Sequence, residues 1–320
     1  MLIRFVTVLL ALAAFWTAAG HAQTEPYPSR RIHIVVGFPP GGGVDVAGRL
    51  VADKLTQILG QPVVVENRPG ASSGIATRYV ATAKPDGYVV LINSNSMLAN
   101  QIVNPNAGYD VERDLIPVIK AVSQSNIMVA GPDVAAATLK DVIALSRRQD
   151  VTYGTPGAGS IPHLAAERLF ALAGAKLRHV PYPGAAPALN GVLGGHEQFA
   201  FLTTPPAVTL VKSGKVKGIA ITAAGRAATL PDIPTFAESG FPGYVVDVWG
   251  GFFVPAGTPR PVIETLSNAM SKALAMQDVK DKLVGLGFDL AGTPSDEFRR
   301  EISEELKLWT DIVQKSNLKF

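Results

Sequence analysis

The sequence predicts an α/β protein of two related domains, each a mostly parallel sheet flanked by helices. Three observations carry that prediction. Short runs rich in β-branched residues alternate with segments of helical period, glycine-rich loops join strand to helix, and the pattern restarts about 120 residues further along.

Ahead of the pattern, residues 1–22 carry one charge, Arg4, then an apolar run over 5–19 and the small residues Gly20 and Ala22 around His21. This is the layout of a secretory signal cleaved near Ala22, since about fifteen apolar residues fall short of the roughly twenty that span a bilayer. Residues 31–36 (RIHIVV) read as a buried strand stopped by Gly37. After the glycine loop 38–45, the apolar positions Val46, Leu50, Val51, Leu55, Ile58 and Leu59 recur at helical spacing up to a C-cap at Gly60. A strand at 62–66, a loop at 67–74, a helix ending near 83 and a strand at 88–92 complete the first series. The second series places strands at 127–130, 151–153, 179–181, 198–202 and 218–222, with helices at 138–148, 161–173, 185–193 and 207–213. Residues 245–259 read as a strand and sharp turn, with Trp249 as core or cleft wall. The tail is helical over 262–276, 277–286 and 296–315, with Ser295 as an N-cap signal.

Composition excludes several functions. Lys and Arg number 29 against 26 Asp and Glu, and no basic run interleaved with aromatic residues appears, so nucleic acid is not an expected partner. With no Cys there is no disulfide, lipobox thiol or thiolate metal site. Histidines 21, 33, 163, 179 and 196 show no i, i+4 pairing, so neither a metal nor another cofactor is expected.

Two glycine loops are the leading candidates for chemistry. In the first, Phe38 and Pro39 lead into Gly41, Gly42 and Gly43 directly before a helix, whose free N–H groups and positive dipole end suit an anion. Asp45 fits a helix cap. No Lys follows the last glycine of either loop, which excludes a Walker A site, and glycines at 41, 42, 43 and 48 do not make a dinucleotide fingerprint. The second loop holds Thr155, Gly157, Gly159 and Ser160 before another helix, with His163 one turn in. Ser160 is an N-cap or a donor to ligand oxygen; because Ile161 and Pro162 follow it, it does not form a nucleophile elbow. Tyr182, on a later strand-to-helix loop, is a cleft wall or a packing residue.

Taken in order, YPSRRIHIVVGFPPGGGVDVAGRLVADKL, VVVENRPGASSGIA, KPDGY, YGTPGAGSIPH, HVPYPGAAPALNGVLGG and WGGFFVPAGTP resemble the Bug, or tripartite tricarboxylate transporter receptor (TctC), family of extracytoplasmic solute-binding proteins. The resemblance implies a type II-like Venus flytrap whose two lobes, 23–122 with 246–320 and 123–245, are joined by crossover strands. It implies a carboxylate held between the loops 38–45 and 154–163, with Ser94, Asn95 and Ser96 facing the same cleft. Relatives often carry Phe-Asp where this chain has Leu202 and Thr203. An Asp there would pair with a ligand ammonium, so Thr203 implies a dicarboxylate, hydroxy acid or aromatic carboxylate without one.

The expected protein is therefore a monomeric periplasmic receptor without catalytic residues. It would deliver its ligand to the membrane subunits of a tripartite tricarboxylate-type transporter or, alternatively, signal through a two-component sensor kinase. A third reading, a carboxylate hydrolase or isomerase with His163 as base, lacks a matched acid, nucleophile or metal in the sequence.

Overall fold

The computed structural model describes residues 26–316, so the expected signal segment ending at Ala22 lies outside the described residues. The chain begins with β1 (Ile32–Val36), α1 (Gly43–Leu59), β2 (Val63–Asn67), α2 (Gly74–Ala81), β3 (Val89–Ser94), α3 (Ser96–Val103) and α4 (Val111–Asp114). It continues through β4 (Leu115–Ala130), α5 (Leu139–Ser146), β5 (Thr152–Thr155), α6 (Ile161–Ala173), β6 (Arg178–Pro181) and α7 (Ala185–Leu193). Next come β7 (Phe199–Thr203), α8 (Thr204–Lys212), β8 (Lys217–Ile221) and β9 (Asp247–Pro255). The chain closes with α9 (Arg260–Ala275), α10 (Gln277–Gly285), β10 (Asp289–Pro294) and α11 (Ser295–Ser316).

The α/β class and its two sheets agree with the sequence. One sheet runs β2-β1-β3-β9-β4, with β10 on the far edge of β4. The other runs β4-β7-β5-β6, with β8 also on β4. The flanks are parallel, β1 with β2 and β3, β5 with β6 and β7, while every pairing of β4 is antiparallel. The 16-residue β4 thus serves both sheets: up to Ser123 it pairs with β10, and from Asn126 with β7. Its first half carries no strand signal in the sequence, because Pro117, Lys120 and the polar run 123–126 hide the period. Lys120 is accommodated by an ion pair with Glu301 at 2.9 Å. Helix α3 and strand β10 are likewise additions to the elements expected from sequence.

Alternation along the strands builds the core in layers. Ile32, Ile34 and Val36 of β1 face α1 and α9, while Val35 turns to the opposite face with Leu91 and Phe253. In the second sheet Met128, Tyr153 and Phe201 face α6, and Ile127, Val129 and Leu202 face α7 and α8. Helices α9 and α10 pack in the first lobe through Leu266, Met270 and Leu283. Helix α11 straddles the molecule: Phe298, Ile302 and Leu306 enter one core and Trp309 enters a core of the other lobe.

Phe298 is fully buried, edge-on to Trp249 at 4.9 Å, and fills the space a side chain at Gly251 would occupy. Phe298→Ala should therefore lower unfolding free energy by about 3–5 kcal/mol in urea titrations; a loss below about 1 kcal/mol would mean that α11 is not anchored there.

Candidate ligand-binding cleft

Strand β1 delivers the chain to the cleft through the loop 37–42. The first intrahelical bond of α1 runs from Val46 N to Gly42 O at 3.0 Å, so the amides of Gly43 and Val44 stand outside the helical ladder. Asp45 is buried and folds back on the loop, accepting from Gly41 N at 3.0 Å, Arg49 Nε at 3.0 Å and Asn67 Nδ2 at 2.7 Å. Burial works against its charge, but the bonds from Arg49, Asn67 and Gly41 outweigh it and hold the carboxyl below its ordinary value. Asp45 is therefore a neutralised brace for the loop, compatible with an anion at the helix end.

Strand β3 and helix α3 place Ser94 and Ser96 on the same cavity. Asn95 between them turns away, donating through Nδ2 to Asp247 O at 3.0 Å and to Glu305 Oε1 at 2.6 Å. Glu305 also accepts from the indoles of Trp249 at 2.6 Å and Trp309 at 3.1 Å. Burial raises its pKa above the usual carboxylate value, opposed by these donors. Trp249 is thus a core residue behind the cleft wall.

The second glycine loop is satisfied from within. Thr155 Oγ1 lies 2.6 Å from His179 Nε2, and Gly157 N donates to Thr155 Oγ1 at 3.3 Å. Gly159 N donates to His163 Nδ1 at 3.0 Å, and Ser160 Oγ donates to Gly157 O at 2.7 Å while capping His163 N. Ile161 N donates across the cleft to Ser96 Oγ at 3.2 Å, and Pro162 has no N–H to offer. The anion-donating capacity expected equally of both loops is thus concentrated in the first. The second lobe contributes Pro156 and Pro162 as an apolar wall, together with Ala185 and Thr203.

Between the lobes lies a small cavity. The first residues of five helices line it: Gly43 and Val44 of α1, Ser96 of α3, Pro162 of α6, Ala185 of α7, and Thr203 at the cap of α8. Among the described residues, no ionisable side chain lines it. Gln124 of β4 and Val248 of β9 close it where the strands cross between lobes, and they are register partners. Gln124 is 1% exposed, and neither of its amide atoms has a hydrogen-bond partner among the described residues.

The lobes touch around the cavity. Ser72 Oγ donates to Ala158 O at 2.5 Å, and Pro39 packs against Gly184, where a Cβ would sit 2.7 Å from its Cδ. Ser72 reaches over because Ala71, Ser72 and Ser73 all take left-handed φ of 48°, 47° and 73°, at about 1–2 kcal/mol each. Gly157, at φ +151°, leaves room for that hydroxyl; a Cβ there would lie 2.6 Å from it.

Of the residues singled out in sequence, Phe38, Gly42, Gly43, Ser94, Ser96 and Thr203 meet on the cavity. Pro39 and Gly41 sit at its mouth against the α7 turn. Asp45, Asn95, Thr155, Gly157, Gly159, Ser160 and His163 brace the surrounding loops instead of lining it. Tyr182 donates to Glu197 at 2.6 Å and packs over Gly154, away from the lining. Gln124, Val248, Pro156 and Pro162 are lining residues that sequence reasoning missed. The first two lie on crossing strands that carry no motif, and the prolines have no polar side-chain group to mark them.

Residues 47–318 match the family model described as tripartite tricarboxylate transporter family receptor. The periplasmic binding protein BugD superposes with a TM-score of 0.88 at 30% identity, covering 92% of this chain and 99% of its own. The R. palustris protein Rpa4515 with adipate gives 0.87 at 30% identity, covering 91% and 98%. MatC from Rhodopseudomonas palustris with bound malate gives 0.86 at 30% identity, covering 90% and 100%.

Two stability measurements probe the loop braces. The Asp45 carboxyl titrates below its unfolded value of 3.8, so its contribution is present above that pH and is lost as pH falls through the folded value. Asp45→Asn should cost about 1–3 kcal/mol at pH 7 by urea unfolding, with the difference from wild type shrinking below pH 4; a gap independent of pH would exclude the charge as the cause. Burial, and for His163 its stacked neighbour His179, lowers the two imidazoles to about 3 and about 4. The unfolded rings take up protons near pH 6.5, so stability should fall as pH drops from there toward the folded values, by at most about 1.4 kcal/mol per pH unit for each ring. His163→Gln should flatten that slope between pH 6.5 and 5; an unchanged slope would assign it to other groups.

Proposed function

The chain belongs to the tripartite tricarboxylate transporter receptor family, and from that premise we propose that it is an exported periplasmic receptor for a small carboxylate. It captures the ligand by closing two lobes and hands it to the membrane subunits of a tripartite tricarboxylate-type transporter. One observation carries this reading: the cavity between the lobes gathers five helix N-termini and, among the described residues, no ionised side chain. Unpaired amides and converging positive dipole ends favour negatively charged oxygen without a Lys or Arg. A lining without a carboxylate disfavours a ligand ammonium, which supports reading Thr203 as the mark of a purely acidic or hydroxylated ligand. Two family members of known structure hold malate and adipate, both carboxylates.

In this reading the hinge lies where β4 and β9 pass between sheets, dividing the chain into 23–122 with 246–320 and 123–245. Ligand bridging Gly43 and Val44 on one side and Thr203 on the other adds contacts only the closed form can make, which shifts the population toward closure. A hydrolase reading gains no support, because His163 accepts from the Gly159 amide and its pKa is pushed down to about 3.

Thermal unfolding and calorimetry against a carboxylate panel test the proposal. A ligand at about a hundred times its Kd should add about 2.7 kcal/mol, raising Tm by about 5 °C or more. Gly42 has ordinary φ and open space where a Cβ would stand, its nearest neighbour 3.8 Å away, so Gly42→Leu should fold normally. That variant should lose at least tenfold in carboxylate affinity. Stabilisation by amino acids but by no plain or hydroxylated acid would overturn the proposal, as would full affinity in the variant.

A further inference from the structure

Gln124 is a buried amide with nothing among the described residues to bond. Its Oε1 and Nε2 are both shielded from solvent and unpartnered, at the point where β4 has passed β10, not yet reached β7, and is paired with β9. The amide lies against the first residue of α1: a Cβ built on Gly43 would fall 2.5 Å from Oε1 and 3.1 Å from Nε2. A side chain so placed is costly unless something in the cavity completes it, because a buried amide left unpaired forfeits its hydrogen bonds to water.

The rest of the lining says what can complete it. The α1 amides only donate, so they suit carboxylate oxygen. Pro156, Pro162 and Val248 offer no side-chain hydrogen bond. Gln124 presents a fixed donor and a fixed acceptor side by side, and a hydroxyl is the small neutral group that answers both. A second carboxylate or a keto oxygen accepts only, leaving Oε1 unpaired; a methylene leaves both atoms unpaired. An ammonium would satisfy Oε1 but would meet the positive ends of five helices with no carboxylate in the described lining.

Resting on the carboxylate reading above, we propose that the ligand is a 2-hydroxycarboxylate and that Gln124 is the residue that selects the hydroxyl. With the carboxylate seated on the Gly43 and Val44 amides, the carbon next to it falls beside the Gln124 amide. The hydroxyl then donates to Oε1 and accepts from Nε2. A site built to bond a hydroxyl discriminates strongly against the analogue lacking it, because the site's own polar atoms are then stranded.

Calorimetric titration of the full mature chain with matched pairs, malate against succinate and lactate against propionate, tests the assignment. Wild type should favour the hydroxylated member of any pair that binds by at least tenfold, about 1.4 kcal/mol. Gln124→Met, similar in volume, should bring that ratio close to one, with circular dichroism and Tm reporting its folding. Should the variant fail to fold, the wild-type ratio decides alone. Equal affinity within a pair for wild type, or a preference that survives in Gln124→Met, overturns the assignment and leaves the carboxylate receptor standing. If no carboxylate of a broad panel binds wild type, both readings fall together.

Discussion

The antiparallel pairing of β4 with β9 is the constraint on which the cleft depends. Register partners run from Leu115 with Pro255 to Ser125 with Asp247, carrying both strands out of the first sheet and up to the second. The register shifts at Pro117–Ile119 and again at Lys120–Val122, and from Val122 onward it runs regularly, so that Gln124 and Val248 arrive together at the floor of the cavity. A two-strand ribbon can flex where it leaves one sheet and before it joins the next, while its hydrogen bonds keep the lobes in line. Helix α11 lies across the same junction, and its Glu305 ties Asn95 at the head of α3 to Trp249 of β9. The wall holding Ser94 and Ser96 is thereby fixed to the hinge ribbon.

Electrostatics then follows from where helices begin. In both parallel regions each strand ends at the cleft and the next helix starts there, so N-termini converge from two sides. Charge that would disturb this arrangement is neutralised at a distance: Asp45 by Arg49, Asn67 and the loop itself, Lys120 by Glu301. The two loops that look alike in sequence divide the work. The first keeps free amides; the second bonds to itself through Thr155, Ser160 and His163 and presents prolines.

Much of the fold could be read from residues alone. Alternation of β-branched runs with helical spacing placed β1 to β3 and β5 to β8, and the glycine loop placed the head of α1. The site was legible from residues where it depended on backbone freedom, at Gly42 and Gly43, and through the family resemblance at Ser94 and Thr203. It was not legible where a side chain's direction decides its role. Asn95, Ser160 and His163 are the right residue types in the right loops, yet their hydrogen bonds point into the scaffold. Gln124 carried no signal because half of β4 is disguised by Pro117 and Lys120, and only the three-dimensional crossing brings residue 124 beside residue 43.

The central claim is that peptide amides at the start of α1, and not a cationic side chain, hold the ligand's charge. Amide nitrogen and proton chemical shifts report it directly. On titration with a bound carboxylate, the resonances of Gly42, Gly43 and Val44 should show the largest downfield proton shifts in the spectrum, as anion acceptance deshields an N–H. Saturable binding with those three resonances unmoved, and shifts centred on an Arg or Lys elsewhere, would contradict it.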